Sequence, residues 1–267
     1  MTYTLIGSGR TADVFLYDDA FVLKLYKSSM PDGSIDNEFC MALYAYEKGL
    51  PTPRPVSRIR KDHRHGIVFD RIQGTSLLNI LSDDPMNMPH LAKKMAELHH
   101  RINAVPYPGA ADSQKVSLVR AIACTPLLSE DDKTRIVNYI AALPDGNFLC
   151  HGDFHPDNIL IDDDLRIIDW MTGTAGNPAC DVARSKMILE CSGLPDSISA
   201  VMRFFLALGK KALAKKYVKE YCRISGLSAR EIDEWMLPLY AARLTENLSG
   251  KETSLLLKRI KKEIRKA

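Results

Sequence analysis

Three polar residues stand out by type and spacing. Asp153 and Asn158 lie in the run Leu149-Cys150-His151-Gly152-Asp153-Phe154-His155-Pro156-Asp157-Asn158-Ile159-Leu160-Ile161, and Asp169 lies in Ile167-Ile168-Asp169-Trp170. Asp153 and Asn158 are five residues apart. The apolar run 159–161, the polar turn Asp162-Asp163-Asp164 and the run 165–168 read as a short β-hairpin that carries Asp169 back beside them. Oxygen donors in this pattern suit Mg²⁺, which takes one or two protein groups and completes its shell with phosphate and water. In phosphoryl transfer a loop Asp orients the hydroxyl nucleophile, while an Asn and a later Asp hold metal on the phosphates. A competing assignment makes His151, Asp153 and His155 alternate metal ligands. Zinc normally draws three or four ligands, with further His or Cys elsewhere, so His155 reads instead as a packed or hydrogen-bonded loop residue.

HGDFHPDN followed by IDW resembles the aminoglycoside phosphotransferase and choline kinase group, the small-molecule branch of the protein-kinase-like fold. Gly152 stands where protein kinases carry the Arg of HRD, and Trp170 where they carry the Phe of DFG. Both departures favour the small-molecule branch. The resemblance implies an α+β, two-lobed fold with a small β-rich N-lobe over residues 1–73 and a larger, mostly helical C-lobe over residues 74–267. It implies Asp153 as the catalytic carboxylate, Asn158 and Asp169 as Mg²⁺ ligands, and ATP as the phosphate donor, with GTP as the alternative.

The elements that must position these residues are legible as patterns. Tyr3 to Ile6, Ala12 to Tyr17 and Phe21 to Tyr26 are short apolar or alternating runs that read as strands, with Asp18-Asp19 turning between the last two. Asp32-Gly33-Ser34 opens a helix in which Ile35, Phe39, Ala42, Leu43 and Tyr46 recur at helical spacing, and Gly49 with Pro51 stops it. Two more strands are expected near Pro55 to Arg60 and Gly66 to Arg71, joined by Lys61-Asp62-His63-Arg64. From Gly74 onward the chain reads as mostly helical. Leu91, Met95, Leu98 and Ile102 form one stripe, Ser129 and Asp132 cap a helix towards Ala142, and Ser228 with Glu231 forms a capping box opening a helix that contains Trp235 and Tyr240. A last helix carries Leu256, Ile260 and Ile264 on one face.

Gly7-Ser8-Gly9 follows the first expected strand, where glycines let backbone approach phosphate closely. The third glycine of the protein-kinase pattern is replaced by Ala12. Lys24 is a lone charge in the apolar run Phe21 to Tyr26 and calls for a partner. The resemblance implies that Lys24 contacts the nucleotide phosphates and pairs with Glu38 on the following helix. It also implies adenine recognition by the carbonyl of Asp70 and the amide of Ile72, with Phe69 at the back of the pocket. Asp181 matches a position that braces the catalytic loop.

Only eleven residues separate Asp169 from Asp181, with Gly173, Gly176 and Pro178 among them. A polypeptide-docking activation segment does not fit in that space, so the expected acceptor is a small molecule bearing a hydroxyl: an aminoglycoside, amino alcohol, sugar or related metabolite. The alternatives are an atypical protein kinase and a catalytically silent nucleotide-binding module. The second predicts loss of Lys24, Asp153, Asn158 or Asp169, and all four are present. Glu231, Asp233, Glu234 and Glu246 are candidate carboxylates for a cationic acceptor, with helix capping as the competing role.

Composition is ordinary for a globular chain of 267 residues, with six scattered cysteines and no CxxC pair. No run of about 18 apolar residues exists, and Met1-Thr2-Tyr3-Thr4-Leu5 lacks a signal-peptide pattern. A cytoplasmic, non-membrane protein is expected. Cys150, among apolar neighbours, reads as a packing residue. Net charge is +3, but residues 194–267 carry sixteen Lys+Arg against eight Asp+Glu. The excess lies in Lys210-Lys211, Lys215-Lys216-Lys219 and the tail Lys258 to Lys266, and reads as solvated helix faces. No aromatic-basic interleaving accompanies it, so nucleic acid is not an expected partner.

Overall fold

The computed structural model describes residues 3–109, 113–193 and 199–265. Met1, Thr2 and Lys266 of the runs discussed above, and residues 194–198, lie outside them. The chain groups into two compact units, Met1–Asp83 with Pro156–Gly173, and Asp84–His155 with Thr174–Ala267. The sequence reading draws its lobe boundary at residues 73 and 74; packing groups residues 74–83 and 156–173 with the N-terminal part.

The first unit begins with β1 (Thr4–Ser8), β2 (Ala12–Leu16) and β3 (Phe21–Tyr26), followed by α1 (Asp32–Glu47), β4 (Pro55–Lys61) and β5 (Arg64–Asp70). These strands form one antiparallel sheet in the order β1-β2-β3-β5-β4. Alternation along β3 sends Leu23 and Leu25 to one face, where they pack with Val68 and the partly buried Phe15, Phe21 and Ile59. Lys24 and Tyr26 point to the other face. The expected stripe on α1 is rotated in the structure. Its buried residues are Ile35, Glu38, Met41, Ala42 and Ala45, while Tyr46 is exposed and Phe39 lies under the Arg58 guanidinium, 4.3 Å from its ring centroid. The helix turns Glu38 inward because Lys24 and Tyr26 satisfy both carboxylate oxygens (below). The β4–β5 turn places Asp62 and His63 in the left-handed region, φ 50° and 61°, the geometry of a tight two-residue hairpin.

β6 (Thr75–Ser76) and α2 (Leu77–Asp83) complete this stretch. Gly74 precedes them at a crowded point, since a Cβ there would lie 2.7 Å from the Ile161 carbonyl oxygen.

In the second unit come α3 (Met88–Asn103), α4 (Gln114–Cys124), α5 (Glu130–Ala142) and β7 (Phe148–Cys150). Leu91, Met95, Leu98 and Ile102 of α3 are buried as expected, and Ser129 caps α5 by accepting from the Asp132 amide. The chain then returns to the first unit with β8 (Ile159–Ile161) and β9 (Leu165–Ile167), where β8 pairs with both β6 and β9. Back in the second unit, β10 (Thr174–Gly176) pairs with β7 and leads into α6 (Pro178–Cys191). This helix starts three residues before Asp181, capped by the Asn177 side chain on the Ala179 amide.

α7 (Ala200–Ser225) packs mainly on α3 and α6 and exposes Lys211, Lys215 and Lys219 along one face. The helix expected from Ser228 is broken into α8 (Ala229–Asp233) and α9 (Met236–Arg243). Pro238 explains the break, because a proline ring collides with the carbonyl four residues earlier, here that of Glu234. That carbonyl accepts from Tyr139 Oη at 3.0 Å instead. α10 (Gly250–Ile264) buries Leu256 and Ile260. Among the described residues no helix is long and apolar enough to cross a membrane.

Candidate active site

β3 and α1 bring Lys24 and Glu38 together as the sequence predicts. Lys24 Nζ donates to Glu38 Oε1 at 2.6 Å and to Asp169 Oδ1 at 2.9 Å. Tyr26, two residues after Lys24 and so on the same face of β3, donates its hydroxyl to Glu38 Oε2 at 2.7 Å. Burial alone works against the Lys24 charge. The carboxylates of Glu38 and Asp169 outweigh it and leave the ammonium above its ordinary pKa. Sequence reasoning missed Tyr26, although the two-residue period of the strand was sufficient to find it.

Asp169 follows β9 with φ 68°, a left-handed conformation that Asp tolerates better than most residues but at some cost. Such outliers persist where their surroundings over-determine them. Here the Ile168 amide donates to the Asn158 carbonyl at 3.0 Å, and Lys24 holds the Asp169 side chain. Asn158 thus sits opposite Ile168, one residue before Asp169, so the hairpin brings the two residues to the same end as expected. Trp170 is buried, its Nε1 donating to Thr52 Oγ1 at 2.9 Å, and Thr52 donates onward to the Ile167 carbonyl at 2.8 Å.

A cavity of about 260 Å³ opens within this unit. Its apolar walls include Ile6, Ala12, Val22, Phe69, Leu160 and Ile168; Lys24, Glu38 and Asp169 form its charged end. Gly9, Asp70 and Ile72 also line it. An apolar slot with one ion-paired end suits a flat heterocycle carrying a polar tail. At the Gly7-Ser8-Gly9 turn the Gly9 amide donates to the Ala12 carbonyl at 2.8 Å, and Ser8 Oγ donates to Asp13 Oδ1 at 2.8 Å.

Asp153 belongs to the other unit and is described with its own neighbours. Gly152 before it has φ 76°, a conformation that side chains disfavour and glycine adopts freely, where protein kinases carry Arg. His155 Nε2 lies 3.4 Å from Asp153 Oδ2, and His151 Nδ1 accepts from the Asp153 amide at 3.3 Å. Burial raises the Asp153 carboxyl, but His155, Arg184 and His151 overcome it and hold the group well below the usual carboxylate range. Arg184 Nε donates to the Gly152 carbonyl at 3.2 Å while its Nη1 pairs with Glu246 at 2.7 Å.

Beneath this loop Asp181 is fully buried and accepts four bonds: from the His151 and Gly152 amides at 2.8 Å each, from His99 Nε2 at 2.8 Å and from Asn103 Nδ2 at 3.0 Å. Tyr217 bonds His99 Nδ1 at 2.5 Å, and Tyr221 donates to Asn103 Oδ1 at 2.8 Å. Burial pushes the Asp181 carboxyl up, but His99 and the donated bonds bring it down to about 2. Asp181 therefore braces the loop backbone, as its sequence position implies. Its supporting aromatics come from distant segments with no shared motif and were not legible. Cys150 is buried and its thiol is pushed well up by burial, consistent with a packing role.

All four carboxylates considered for an acceptor pocket have protein partners. Glu231 completes the capping box with Ser228, Asp233 pairs with Lys186 at 2.5 Å, and Glu234 pairs with Arg230 at 3.1 Å. Glu246 is bound by Arg184. Among the described residues no group of three or more His, Cys, Asp or Glu is placed to hold a metal.

The model of the phosphotransferase enzyme family matches residues 2–205. No curated protein matches the chain in sequence. Among solved structures, an aminoglycoside-3′-phosphotransferase of type VIII is similar with a TM-score of 0.62 at 16% identity, covering 90% of this chain and 93% of that one. The streptomycin–ATP complex of APH(2″)-IIa is similar with a TM-score of 0.61 at 15% identity, covering 98% and 91%. A putative fructosamine-3-kinase from Haemophilus somnus 129PT gives 0.62 at 13% identity, covering 98% and 90%. At these identities the likeness establishes the shared protein-kinase-like α+β fold, and the family match over most of its length establishes that the chain belongs to the phosphotransferase enzyme family.

Proposed function

We propose that this phosphotransferase moves the γ-phosphoryl group of ATP to a hydroxyl of a small molecule. The observation that carries the reading is Lys24, bonded at once to Glu38 and Asp169 on the charged wall of an apolar cavity. Adenine fits between the apolar walls, its edge paired with the Asp70 carbonyl and Ile72 amide. Lys24 binds phosphate oxygens, and the Gly7-Ser8-Gly9 turn covers them. Similar folds solved with ATP or ADP support a nucleotide here.

Asn158 and Asp169 supply a side-chain amide oxygen and a carboxylate, the hard donors Mg²⁺ prefers, and two protein donors are its usual complement in a phosphate site. When bound there, the ion neutralises phosphate charge. Lys24 already shows that Asp169 faces a cation. Asp153 accepts the hydroxyl proton of the acceptor in a hydrogen bond and aligns its oxygen. With a pKa far below that of an alcohol it is an orienting group rather than a strong base, which fits a loose phosphoryl-transfer transition state. The backbone that carries it is fixed by Asp181 and Arg184. Catalysis then rests on positioning and charge neutralisation.

The acceptor is a small molecule because the segment after Asp169 is fully used. Residues 174–176 pair in β10, and α6 begins at Pro178. Similar structures solved with streptomycin or gentamicin, and the fructosamine kinase, support a polyhydroxylated acceptor. The deciding experiment is an ATP-consumption screen of the purified protein against aminoglycosides, amino alcohols, sugars and fructosamines, with a generic peptide substrate alongside. Phosphate transfer to at least one small hydroxyl compound is expected. Transfer to peptide alone refutes the reading.

A further inference from the structure

Arg64 lies outside every motif of the reaction, yet its guanidinium makes three bonds at the base of the glycine turn. Nη2 pairs with Asp13 Oδ2 at 2.7 Å and donates to the Leu25 carbonyl at 2.8 Å, and Nε donates to the Tyr26 carbonyl at 2.7 Å. Asp13 uses its other oxygen to accept from Ser8 Oγ at 2.8 Å. The relay therefore runs from the end of β3, through Arg64 and Asp13, to the hydroxyl of Ser8 between the two glycines.

The placement follows from the chain. The β3–β5 ladder pairs Leu25 with Gly66 and ends there. The Arg64 side chain takes over, binding the carbonyls of Leu25 and Tyr26. Arg64 can reach because the β4–β5 turn has only Asp62 and His63 at its tip, both left-handed although neither is glycine. Left-handed backbone is strained for such residues and persists where the surroundings fix it. Ser8 and Asp13 face each other as a register pair of β1 and β2. A planar five-donor fork meets a carboxylate and two carbonyls at once; an ammonium does not. Arg64 and Ser8 lower the Asp13 carboxyl below its usual value, keeping it an acceptor for both.

We infer that Arg64 and Asp13 are positioning residues for phosphate binding: together they fix Ser8 and the glycine turn against the strand that carries Lys24. This inference rests on the reading of Gly7-Ser8-Gly9 as the phosphate cover. The strand end they hold also carries Tyr26, the partner of Glu38, so the relay sets the turn and the lysine pair on one frame.

The test separates phosphate positioning from a plain stabilising ion pair. Binding of ATP, ADP and adenosine is measured by titration calorimetry for the wild type, Arg64→Gln, Arg64→Lys and Asp13→Asn, with melting temperatures alongside. Adenosine occupies the same slot without phosphates. The expected result is an ATP and ADP affinity about tenfold lower in each variant, the equivalent of one charge-assisted hydrogen bond, with adenosine affinity changed by less than about twofold. Arg64→Lys gives a loss close to that of Arg64→Gln. If Arg64→Gln does not fold, Asp13→Asn decides, since Asp13 is partly exposed and its amide replacement keeps the shape. ATP and adenosine weakening in parallel, or ATP unaffected in Asp13→Asn, overturns the relay. Wild-type protein that binds neither ATP nor adenosine overturns the nucleotide reading itself, a result distinct from a wild type that binds both and variants that match it.

Discussion

Lys24 and Asp169 are 145 positions apart in the chain and 2.9 Å apart in space. The contact joins the residue expected on the nucleotide phosphates to the one expected on metal, with Glu38 holding the lysine from the other side at 2.6 Å. The lysine thus holds the Asp169 carboxylate at its post in a strained backbone conformation.

That arrangement predicts the effect of Lys24→Met, which keeps the apolar stem and removes the charge. The variant loses the proposed phosphate contact, and Asp169 and Glu38 lose their shared cation. Turnover should fall by about 10²-fold or more, the scale of a lost electrostatic stabiliser. ATP affinity should fall with it. Steady-state kinetics at varied ATP will check this, and a variant with wild-type kcat and KM sinks the assignment.

Asp153→Asn keeps size and hydrogen bonding but not charge. Turnover should drop about 10²-fold, the scale of lost positioning and electrostatic stabilisation, while ATP KM stays near the wild-type value. The pH profile adds a second readout. Asp153 is depressed, so its carboxylate is lost only as pH falls through a value below the ordinary range. Between pH 5 and 8 it therefore contributes no acidic limb in the wild type. His155→Ala removes the largest of the groups that lower it, so the limb moves to higher pH. A wild-type limb near pH 6 that vanishes in Asp153→Asn would contradict this.

The candidate site was legible in the sequence because its motif is local. Asp153, Asn158 and Asp169 lie on one loop and hairpin, whereas the pairing of Lys24 with Glu38 followed from the family resemblance and not from helical spacing. The inward face of α1 was not legible, because hydrophobic spacing favoured Phe39 and Tyr46, whereas a buried Glu38 satisfied by Lys24 and Tyr26 decides the rotation. The broken helix at Glu234 was readable in principle from Pro238, but the capping box at Ser228 drew attention to where the helix starts rather than where it ends. The layer under Asp181 was unreadable for a different reason. His99, Asn103, Tyr217 and Tyr221 are about 80 to 120 positions from their partners and form no pattern until the helices pack.

Asp181→Asn should destabilise the protein in a pH-dependent way. The folded-state pKa is depressed from 3.8 to about 2. A depressed carboxylate contributes stability that is complete above the unfolded pKa and is lost as pH falls through the folded one. The charge is thus worth on the order of 2 kcal/mol at neutral pH, less as pH drops from about 4 towards 2. Urea unfolding of both proteins at pH 7, 4 and 2.5 should show a gap that narrows in that order. A gap independent of pH means the carboxylate is not the stabilising feature. Turnover should also fall, because the amides of His151 and Gly152 lose part of their anchor.

Tyr26→Phe removes one oxygen from the interior and nothing else. Glu38 is almost wholly buried, and the Tyr26 hydroxyl is the donor on its Oε2. Loss of that donor leaves a buried carboxylate oxygen unsatisfied, which costs about 1–3 kcal/mol. Two consequences can be told apart. If Glu38 keeps its place through Lys24, only stability suffers: the melting temperature falls and ATP KM is unchanged. The geometry favours more than this, because Tyr26 and Lys24 occupy opposite oxygens of one carboxylate, and losing one bond frees the group to rotate about the other. The expected outcome is therefore a lower melting temperature together with a severalfold rise in ATP KM, and kcat reduced less than in Lys24→Met. The double variant Tyr26→Phe/Lys24→Met should then bind ATP no worse than Lys24→Met alone, since the tyrosine acts on phosphate only through the lysine pair. Additive losses in ATP affinity would show that Tyr26 acts by another route.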